Sequence, residues 1–414
     1  MNLKSVAFFP NNKFAVLKNN MTRIKYLISF LGVTLLFGAC GSLNICKKQA
    51  NKTNVTILLE KRYHTLLEYP IDSVSFPRSM DIKTGVIKKV PSKDWTSGFF
   101  VGNLWQLYTL TGDKTYKERA VLWNAFMEKE KFNNRTHDMG FKVFCSFGKG
   151  LQVEDNKKYK DIIVKSAQTL CTRFNKKVGS IRSWDFNKDI WEFPVIMDNM
   201  MNLELLFEAS KISGDSKYKT VAIQHANTTL KNHFRKDDSC YHVVVYDTIA
   251  GTVKNKITFQ GFNDESSWAR GQAWAVYGFT MSYRYTKDKA YLNRAEATAK
   301  YFINHKNMPE DGIPYWDFYD TSIPNAPRDV SAATVMASAL IELYSFTKNE
   351  SYLNYANKVI NTLGSDKYIL NESVNGPFIF DHSTGNWPKK DEVDQPIVYG
   401  DYYYLEALLR KKSL

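Results

Sequence analysis

The chain has 414 residues, of which 44% are hydrophobic, 24% charged and 14% aromatic. This composition is that of a globular protein, and the length is within reach of one large closed barrel. The formal net charge of +14 indicates attraction to anions such as nucleic acid, a membrane surface or an acidic substrate. Because the lysines are scattered and form no run, a dedicated nucleic-acid patch is disfavoured. A generally lysine-rich composition explains the charge equally well.

The N-terminal segment has the pattern of a secretory signal. A basic start at Arg23 and Lys25 precedes an apolar stretch over residues 26–37, and small residues then lead to Cys40. The order Leu-Phe-Gly-Ala-Cys-Gly at 36–41 resembles a bacterial lipoprotein processing site, in which the cysteine is lipidated. We therefore predict a signal over residues 1–40, with translation starting at Met21, and a secreted lipoprotein of the outer membrane or periplasm. An N-terminal membrane anchor is the alternative, although the apolar stretch is short for a span.

A polar, lysine-rich stretch at residues 41–55 is predicted to tether the lipid to one domain, residues 56–414, which has no linker or low-complexity tract. The five cysteines form no CxxC pattern. Cys40 is assigned to the lipid, and the other four are predicted to be isolated apolar residues. Neither a zinc site nor a disulfide framework is indicated.

A recurring pattern ends one apolar helix, turns on Gly, Asp or Asn, and starts another helix with a tyrosine at its foot. The tyrosines of its five copies are Tyr116, Tyr159, Tyr218, Tyr291 and Tyr352. The spacing between the copies is too irregular for a TPR or ankyrin array. Variable spacing favours an all-α toroid of helical hairpins, such as an (α/α)6 barrel, with short turns at one end and long loops that build a site at the other.

The stretches between the repeats are predicted to be long loops. Residues 241–247 and 252–258 are predicted to form the two strands of a small β-hairpin. Residues 312–327 are rich in Pro, Asp and aromatic side chains and are predicted to be irregular. Long loops in a compact domain usually carry function.

Two carboxylates lie in otherwise apolar segments, where an unpaired charge is costly. Asp198 precedes a helical stretch and shares a helix face with Asn202, so it is either a catalytic group or a helix N-cap. Asp138 follows His137, and such a pair either holds a proton for chemistry or is purely structural. The residues alone leave both alternatives open.

Arg270 lies among aromatic side chains in the segment Ser-Trp-Ala-Arg-Gly-Gln-Ala-Trp at 267–274. A guanidinium in that setting suits bidentate binding of a carboxylate, and an arginine stacked in a helix interface has the same pattern. Candidate surfaces for stacking on a sugar are Trp95, Trp184, Trp191 and Trp316. The G-x-S-x-G, P-loop, H-E-x-x-H and G-x-G-x-x-G motifs are missing from the chain, which disfavours serine hydrolases, NTPases and zinc proteases.

Five segments together resemble the unsaturated glucuronyl hydrolases of glycoside hydrolase family 88. They are Trp-Thr-Ser-Gly-Phe at 95–99, His-Asp-Met-Gly-Phe at 137–141, Asp-Asn-Met-Met-Asn-Leu at 198–203, Trp-Ala-Arg-Gly-Gln-Ala-Trp at 268–274 and Gly-Asp-Tyr-Tyr-Tyr-Leu-Glu-Ala-Leu at 400–408. The similarity covers nearly the whole domain, and the segments follow the family's order and approximate spacing. The resemblance implies the (α/α)6 barrel.

The resemblance also implies an activity on fragments made by polysaccharide lyases. The enzyme would release the 4,5-unsaturated glucuronic acid from the non-reducing end of glycosaminoglycan oligosaccharides. The C4=C5 vinyl ether is hydrated: a proton goes to C4, water adds at C5, and the hemiketal opens and expels the aglycone. The usual relation between carboxylate separation and stereochemical outcome then does not apply. No metal or organic cofactor is implied, because acid, base and water suffice.

The resemblance assigns roles by motif. Asp198 is the expected general acid/base and Asp138 its partner, and one of two close carboxyls is expected to have a raised pKa. His137 is expected to orient Asp138, and Asn199 to support Asp198. The expected substrate-binding residues are Trp95, His137, Trp184, Asn199, His242, Gln260, Arg270 and Trp274, with Trp95 and Trp184 stacking on the ring and Arg270 paired with the substrate carboxylate.

Three alternatives remain at the level of sequence. An unsaturated rhamnogalacturonyl hydrolase of the related family 105, acting on pectin fragments, would share the barrel and the chemistry. A non-catalytic glycan-binding lipoprotein or a polysaccharide lyase could use a similar toroid.

The loop at residues 382–390 could meet a sulfate through Lys389 and Lys390, or these lysines could simply be solvated. The residues leave open the glycosaminoglycan, its sulfation and the oligomeric state.

Overall fold

The structure, a computed structural model, describes residues 54–414. The predicted signal, the predicted lipid site at Cys40 and most of the predicted tether lie outside the described residues. The first helix, α1 (Asn54–Glu68), begins two residues before the predicted start of the domain.

Six helical segments form a closed inner ring. In order around the ring they are α2 (Ser97–Thr111), a π-helical segment (Gly140–Gly148) continued by α4 (Lys149–Val153), α6 (Leu203–Ser213), α8 (Ala269–Thr286), α10 (Val330–Thr347) and α12 (Val398–Lys412). Each segment contacts the next, and α12 contacts α2, so the ring closes on itself.

An outer layer of helices covers this ring. Five of them follow an inner segment and pack against it: α3 (Lys114–Met127), α5 (Lys157–Cys171), α7 (Ser216–Asn232), α9 (Lys289–Ile303) and α11 (Glu350–Leu363). The sixth, α1, contacts α2 and α3. The predicted (α/α)6 barrel is confirmed.

Each clear copy of the recurring sequence pattern is a turn from an inner to an outer helix. The inner helix ends on a left-handed residue, and the Asp or Asn that follows accepts a hydrogen bond from the backbone N–H two residues later. The left-handed residues are Gly112, Gly214, Lys287 and Lys348, and the capping residues are Asp113, Asp215, Asp288 and Asn349. A buried tyrosine follows each cap. The capping of the outer helix and the burial of the tyrosine side chain together explain the pattern.

Short antiparallel strands stiffen the loops. β1 (Phe76–Met80) pairs with β2 (Ile87–Val90), β3 (Phe174–Asn175) with β4 (Ser180–Ile181), β5 (Pro194–Ile196) with β6 (Val243–Tyr246), β6 also with β7 (Val253–Ile257), and β8 (Ser383–Asn386) with β9 (Asp391–Gln395). The predicted hairpin is confirmed as β6–β7. Residues 312–327 form no helix or multi-residue strand, as predicted.

Helix α10 is long and apolar enough by composition to cross a membrane, but 78% of its apolar window is buried in the protein. It belongs to the inner ring and is therefore a core helix. Cys145 and Cys240 are buried, Cys171 is half-buried, and all three are unpaired, as predicted.

Candidate active site

A cleft of about 290 Å³ lies at the N-terminal ends of the inner helices, opposite the short turns. Six predicted site residues line this cleft: Trp95, His137, Asp138, Trp184, Asp198 and Gln260. Each of them precedes an inner segment along the chain, so the barrel brings together loops that are far apart in sequence.

Asp198 lies in a six-residue 3-10 helix, Met197–Asn202, which follows β5 directly. The N-cap of this helix is Ile196, so the alternative of a capping aspartate is wrong. Only 8% of Asp198 is exposed. Burial raises the pKa of Asp198 to about 7, Asp138 adds to the rise, and the Arg270 guanidinium and the Trp274 indole oppose it. Asp198 can therefore hold or release a proton near neutral pH.

Asp138 is held by a hydroxyl and an imidazole. The Thr136 hydroxyl donates to Asp138 Oδ2 at 2.8 Å, and His137 Nε2 lies 3.1 Å from Asp138 Oδ1. His137 Nδ1 lies 2.8 Å from the Ser183 carbonyl oxygen, which only accepts, so Nδ1 carries the hydrogen. Burial lowers the pKa of His137 and keeps the ring neutral, which leaves a lone pair on Nε2. His137 Nε2 therefore faces Asp138 Oδ1 without a hydrogen of its own.

His242 has the opposite tautomer. Its Nδ1 accepts hydrogen bonds from the backbone N–H groups of Phe259 at 3.1 Å and Gln260 at 3.2 Å, so the hydrogen lies on Nε2. Burial, together with Arg270, lowers the pKa of His242 to about 3, so the ring is neutral. Its Nε2 lies 3.8 Å from Asp198 Oδ2. Asp198 thus faces an N–H donor, whereas Asp138 faces a lone pair.

The two carboxyls therefore have distinct environments, as an acid/base pair requires. Asp198 has the N–H of His242 beside it, whereas Asp138 is held by the Thr136 hydroxyl and faces the unprotonated ring nitrogen of His137. Within residues 54–414, no group of three or more His, Cys, Asp or Glu side chains is arranged to hold a metal ion. The cleft can support proton transfer to a bound ligand from its own side chains.

Three comparisons place this chain in a known family. The family model described as Glycosyl Hydrolase Family 88 matches residues 74–305. A curated unsaturated glucuronyl hydrolase of Formosa agariphila is 59% identical over 95% of this chain and 99% of its own length. The chain belongs to glycoside hydrolase family 88.

Solved structures of family 88 enzymes are similar to this chain in fold and sequence. An unsaturated glucuronyl hydrolase specific for heparin has a TM-score of 0.84 and 43% identity over 87% of this chain and 98% of its own. A Streptococcus agalactiae variant in complex with dGlcA-GalNAc6S has a TM-score of 0.72 and 30% identity, and the match covers 86% of this chain and 91% of that one. The predicted glucuronyl hydrolase activity is confirmed over the pectin alternative, and an unsaturated oligosaccharide is the substrate.

Arg270 does not have the geometry of the predicted clamp. Its guanidinium is 1% exposed and donates to Asp329 Oδ2 at 2.6 Å. It also donates to the backbone oxygens of Thr384 at 2.7 Å and Gly385 at 2.6 Å. This network already pairs its charge, so Arg270 braces α8 against the start of α10 and strand β8. The predicted role of Arg270 as the partner of the substrate carboxylate remains a prediction, for a guanidinium that is already paired.

Asn199 and Trp274 are also placed behind the cleft, and neither has any exposed surface. The Asn199 amide donates to the Ile181 carbonyl at 2.9 Å, which ties β4 to the segment that carries Asp198. The Trp274 ring packs 5.4 Å from the ring of Phe141. Both residues lie in the packing around the cleft, and the sugar contact predicted for them remains a prediction.

The predicted stacking residues lie in two parts of the cleft. The Trp95 ring packs 4.9 Å from Tyr399, and Trp184 belongs to a separate aromatic cluster. Trp316, another candidate, is 1% exposed, and its indole N–H donates to Asp320 at 2.6 Å. It is a core residue.

Sequence analysis missed three residues that shape the family 88 site. Thr136 holds Asp138, Asp329 pairs with Arg270, and Tyr399 lines the cleft. Thr136 and Asp329 could have been identified from the sequence. Thr136 stands two residues before Asp138, and Asp329 caps an apolar helix. Tyr399 had none, since its role depends on α12 closing the ring beside α2.

Proposed function

We propose that Asp198 is the general acid/base that hydrates the C4=C5 bond of a terminal unsaturated glucuronic acid. The observation that carries this assignment is the position of Asp198, which is buried at the cleft with a pKa raised to about 7. A carboxyl with that pKa is protonated in a large fraction of molecules near neutral pH and can act as an acid.

The proposed reaction follows from this proton. Asp198 gives its proton to C4, positive charge develops at C5, and water adds there. The carboxylate of Asp198 then takes a proton from that water, which restores the acid form. The product at C5 is a hemiketal, and its opening releases the aglycone.

Two neutral histidines prepare the carboxyls for these steps. The N–H of His242 faces Asp198 and stabilises the carboxylate that forms when the proton leaves. His137 and Thr136 hold Asp138 in one orientation. Burial and, to a smaller extent, Asp138 keep the pKa of Asp198 raised.

The cation that we assign to an anionic group of the substrate is Lys389. Among the described residues its ammonium has no acidic partner, and it lies 4.2 Å from the centre of the Phe259 ring at the cleft. Arg78 also lines the cleft but is paired with Glu392 at 2.7 Å. Lys390 lies 3.3 Å over Trp387 and does not line the cleft. Of the two lysines predicted to meet a sulfate, only Lys389 is suitably placed.

We also propose that the mature protein is a secreted lipoprotein anchored through Cys40, in the outer membrane or periplasm. The support is the order of a basic start, an apolar stretch and small residues before the cysteine. Replacement of Cys40 by Ala should abolish incorporation of labelled fatty acid and release the protein from membranes. Labelling that persists in this variant would refute the anchor site.

The activity is tested by following the ultraviolet absorbance of the C4=C5 double bond with residues 54–414. Unsaturated disaccharides from chondroitin, hyaluronan and heparin should lose this absorbance, and their relative rates rank the sulfation patterns. A lyase would instead create the absorbance from intact polysaccharide. Loss of signal with the rhamnogalacturonan disaccharide alone would contradict the glucuronyl assignment.

A further inference from the structure

Arg173 lies between the two chain segments that hold the His137–Asp138 pair. It follows α5 by two residues, is 6% exposed and does not line the cleft. Its guanidinium forms five hydrogen bonds, one for each of its N–H groups. A buried guanidinium that is fully paired in this way fixes the position of the groups that accept from it.

One of these acceptors also holds His137. Arg173 Nη2 donates to the Ser183 carbonyl oxygen at 3.2 Å, and His137 Nδ1 donates to the same oxygen at 2.8 Å. The other ring nitrogen of His137 lies 3.1 Å from Asp138 Oδ1. A continuous path of contacts therefore runs from the guanidinium to the Asp138 carboxyl.

Arg173 also holds the backbone that leads into Asp138. Its Nη1 donates to the Asn134 carbonyl oxygen at 2.8 Å. Asn134 stands two residues before Thr136, whose hydroxyl donates to Asp138 Oδ2 at 2.8 Å. Both oxygens of the Asp138 carboxyl are thus contacted by side chains whose position depends on Arg173.

The remaining bonds fix the guanidinium itself. Its Nε donates to the Arg182 carbonyl oxygen at 2.9 Å, and its two Nη atoms donate to the Asp185 carboxylate at 2.8 and 3.0 Å. Lysine cannot form this forked pairing with a carboxylate. Burial lowers the pKa of His137, Asp138 opposes this shift and Arg173 adds to it, so the cation favours the neutral ring.

We propose that Arg173 is a positioning residue of the hydration reaction, which sets the orientation of His137 and through it the orientation of Asp138. The residue acts through the Ser183 peptide and does not line the cleft. This inference rests on the proposed function, to which it adds the residue that orients the second carboxyl. Loss of this orientation slows the reaction and leaves the substrate-binding surface in place.

The test is Arg173→Lys, which keeps the positive charge but removes the planar fork of donors. We expect kcat for an unsaturated chondroitin disaccharide to fall about 10–100-fold, because small displacements of a catalytic group have effects of that size, and KM to stay within about twofold. The matched control is Arg62→Lys. Arg62 is 1% exposed and does not line the cleft. It donates to the carbonyl oxygens of Phe378, Val374 and Gly376, so the control should lose stability in thermal unfolding and keep the wild-type kcat.

Nitrogen NMR of histidine-labelled protein gives a readout that a purely structural role does not move. In Arg173→Lys the His137 Nδ1 signal should shift toward the average of a protonated and an unprotonated nitrogen, because its acceptor is no longer held. The His242 signals should not move, and Arg62→Lys should change neither histidine. If Arg173→Lys does not fold, Asp185→Asn breaks the ion pair instead, and it should shift the same His137 signal with a smaller loss of kcat.

Three outcomes would overturn the proposal. A loss of kcat no larger than that of Arg62→Lys would mean that Arg173 supports the fold alone. A raised KM with unchanged kcat would mean that it acts on substrate binding, and an unchanged His137 signal beside a lower kcat would mean that it does not act through His137. The NMR measurement needs no turnover. A His137 shift with lower kcat therefore supports this inference even if Asp198→Asn stays active and the proposed function fails.

Discussion

The backbone N–H of Phe141 donates a hydrogen bond of 3.0 Å to Asn202 Oδ1, and this bond joins the segment that carries Asp138 to the segment that carries Asp198. Gly140 packs on the same residue, since a Cβ atom there would lie 2.6 Å from Asn202 Cα. Asp138 and Asp198 precede this contact by a few residues each. The separation of the two carboxyls therefore depends on it.

Gly140→Ala should lower both activity and stability. The added methyl group meets backbone atoms of Asn202, which cannot move without shifting Asp198, so we expect a loss of about 1–3 kcal/mol in the free energy of unfolding. Thermal unfolding and kcat measure the two effects. Gly376→Ala is the control, because its Cβ would meet the flexible Met80 side chain. If Gly140→Ala behaves like this control, the contact does not set the carboxyl spacing.

Asp198→Asn should reduce kcat by about 10²–10⁴-fold, the usual contribution of a general acid/base. The amide keeps the size of the side chain but does not deliver the proton. Absorbance assays with the unsaturated disaccharide measure the rate, and calorimetry should find that the sugar still binds. Asp161→Asn is the exposed control and should leave the rate unchanged. Activity within a few-fold of wild type would remove Asp198 from the acid/base role.

The raised pKa of Asp198 has consequences for the pH dependence of both rate and stability. As pH rises through about 7 the acid form is lost, so kcat/KM should fall on the alkaline side. Between the ordinary pKa of 3.8 and about 7, the folded chain binds more protons at Asp198 than the unfolded chain, so stability declines across that window as pH rises. Asp198→Asn should therefore be more stable than wild type above about pH 7. Denaturant unfolding at several pH values tests this, and parallel curves for the two proteins would contradict it.

Arg270→Ala should destabilise the protein by roughly 3–5 kcal/mol, because it leaves Asp329 buried without its partner. Its effect on kcat/KM should be the same for a disaccharide with a free carboxylate and for the methyl ester of that disaccharide. A loss of kcat/KM confined to the free acid would support the predicted role of Arg270 as the partner of the substrate carboxylate. The measurements are thermal unfolding and absorbance assays on the two substrates.

The two histidines at the cleft should have opposite tautomers. Their hydrogen-bond partners place the hydrogen on Nδ1 in His137 and on Nε2 in His242. Nitrogen NMR of histidine-labelled protein distinguishes the protonated from the unprotonated ring nitrogen, and His137→Gln and His242→Gln assign the signals. Finding the same tautomer in both residues would overturn the proposed difference between Asp138 and Asp198.

The sequence by itself determined the barrel and six of the residues that line its cleft. Helix periodicity, the capping Asp and Asn residues and the tyrosine after each turn are local features, and local features are readable in one chain. Asp138, Asp198 and Trp95 could be named because their motifs combine residues that are unusual in apolar segments.

The tertiary structure alone decided which predicted residues line the cleft and which lie behind it. Arg270, Asn199 and Trp274 stand in motifs as distinctive as that of Asp198, but burial and hydrogen bonds to distant loops place them behind it. Phe186 has no sequence motif and still lines the cleft. The reason is physical: exposure, partner atoms and pKa depend on side chains brought together from far along the chain, and the order of residues does not record those distances.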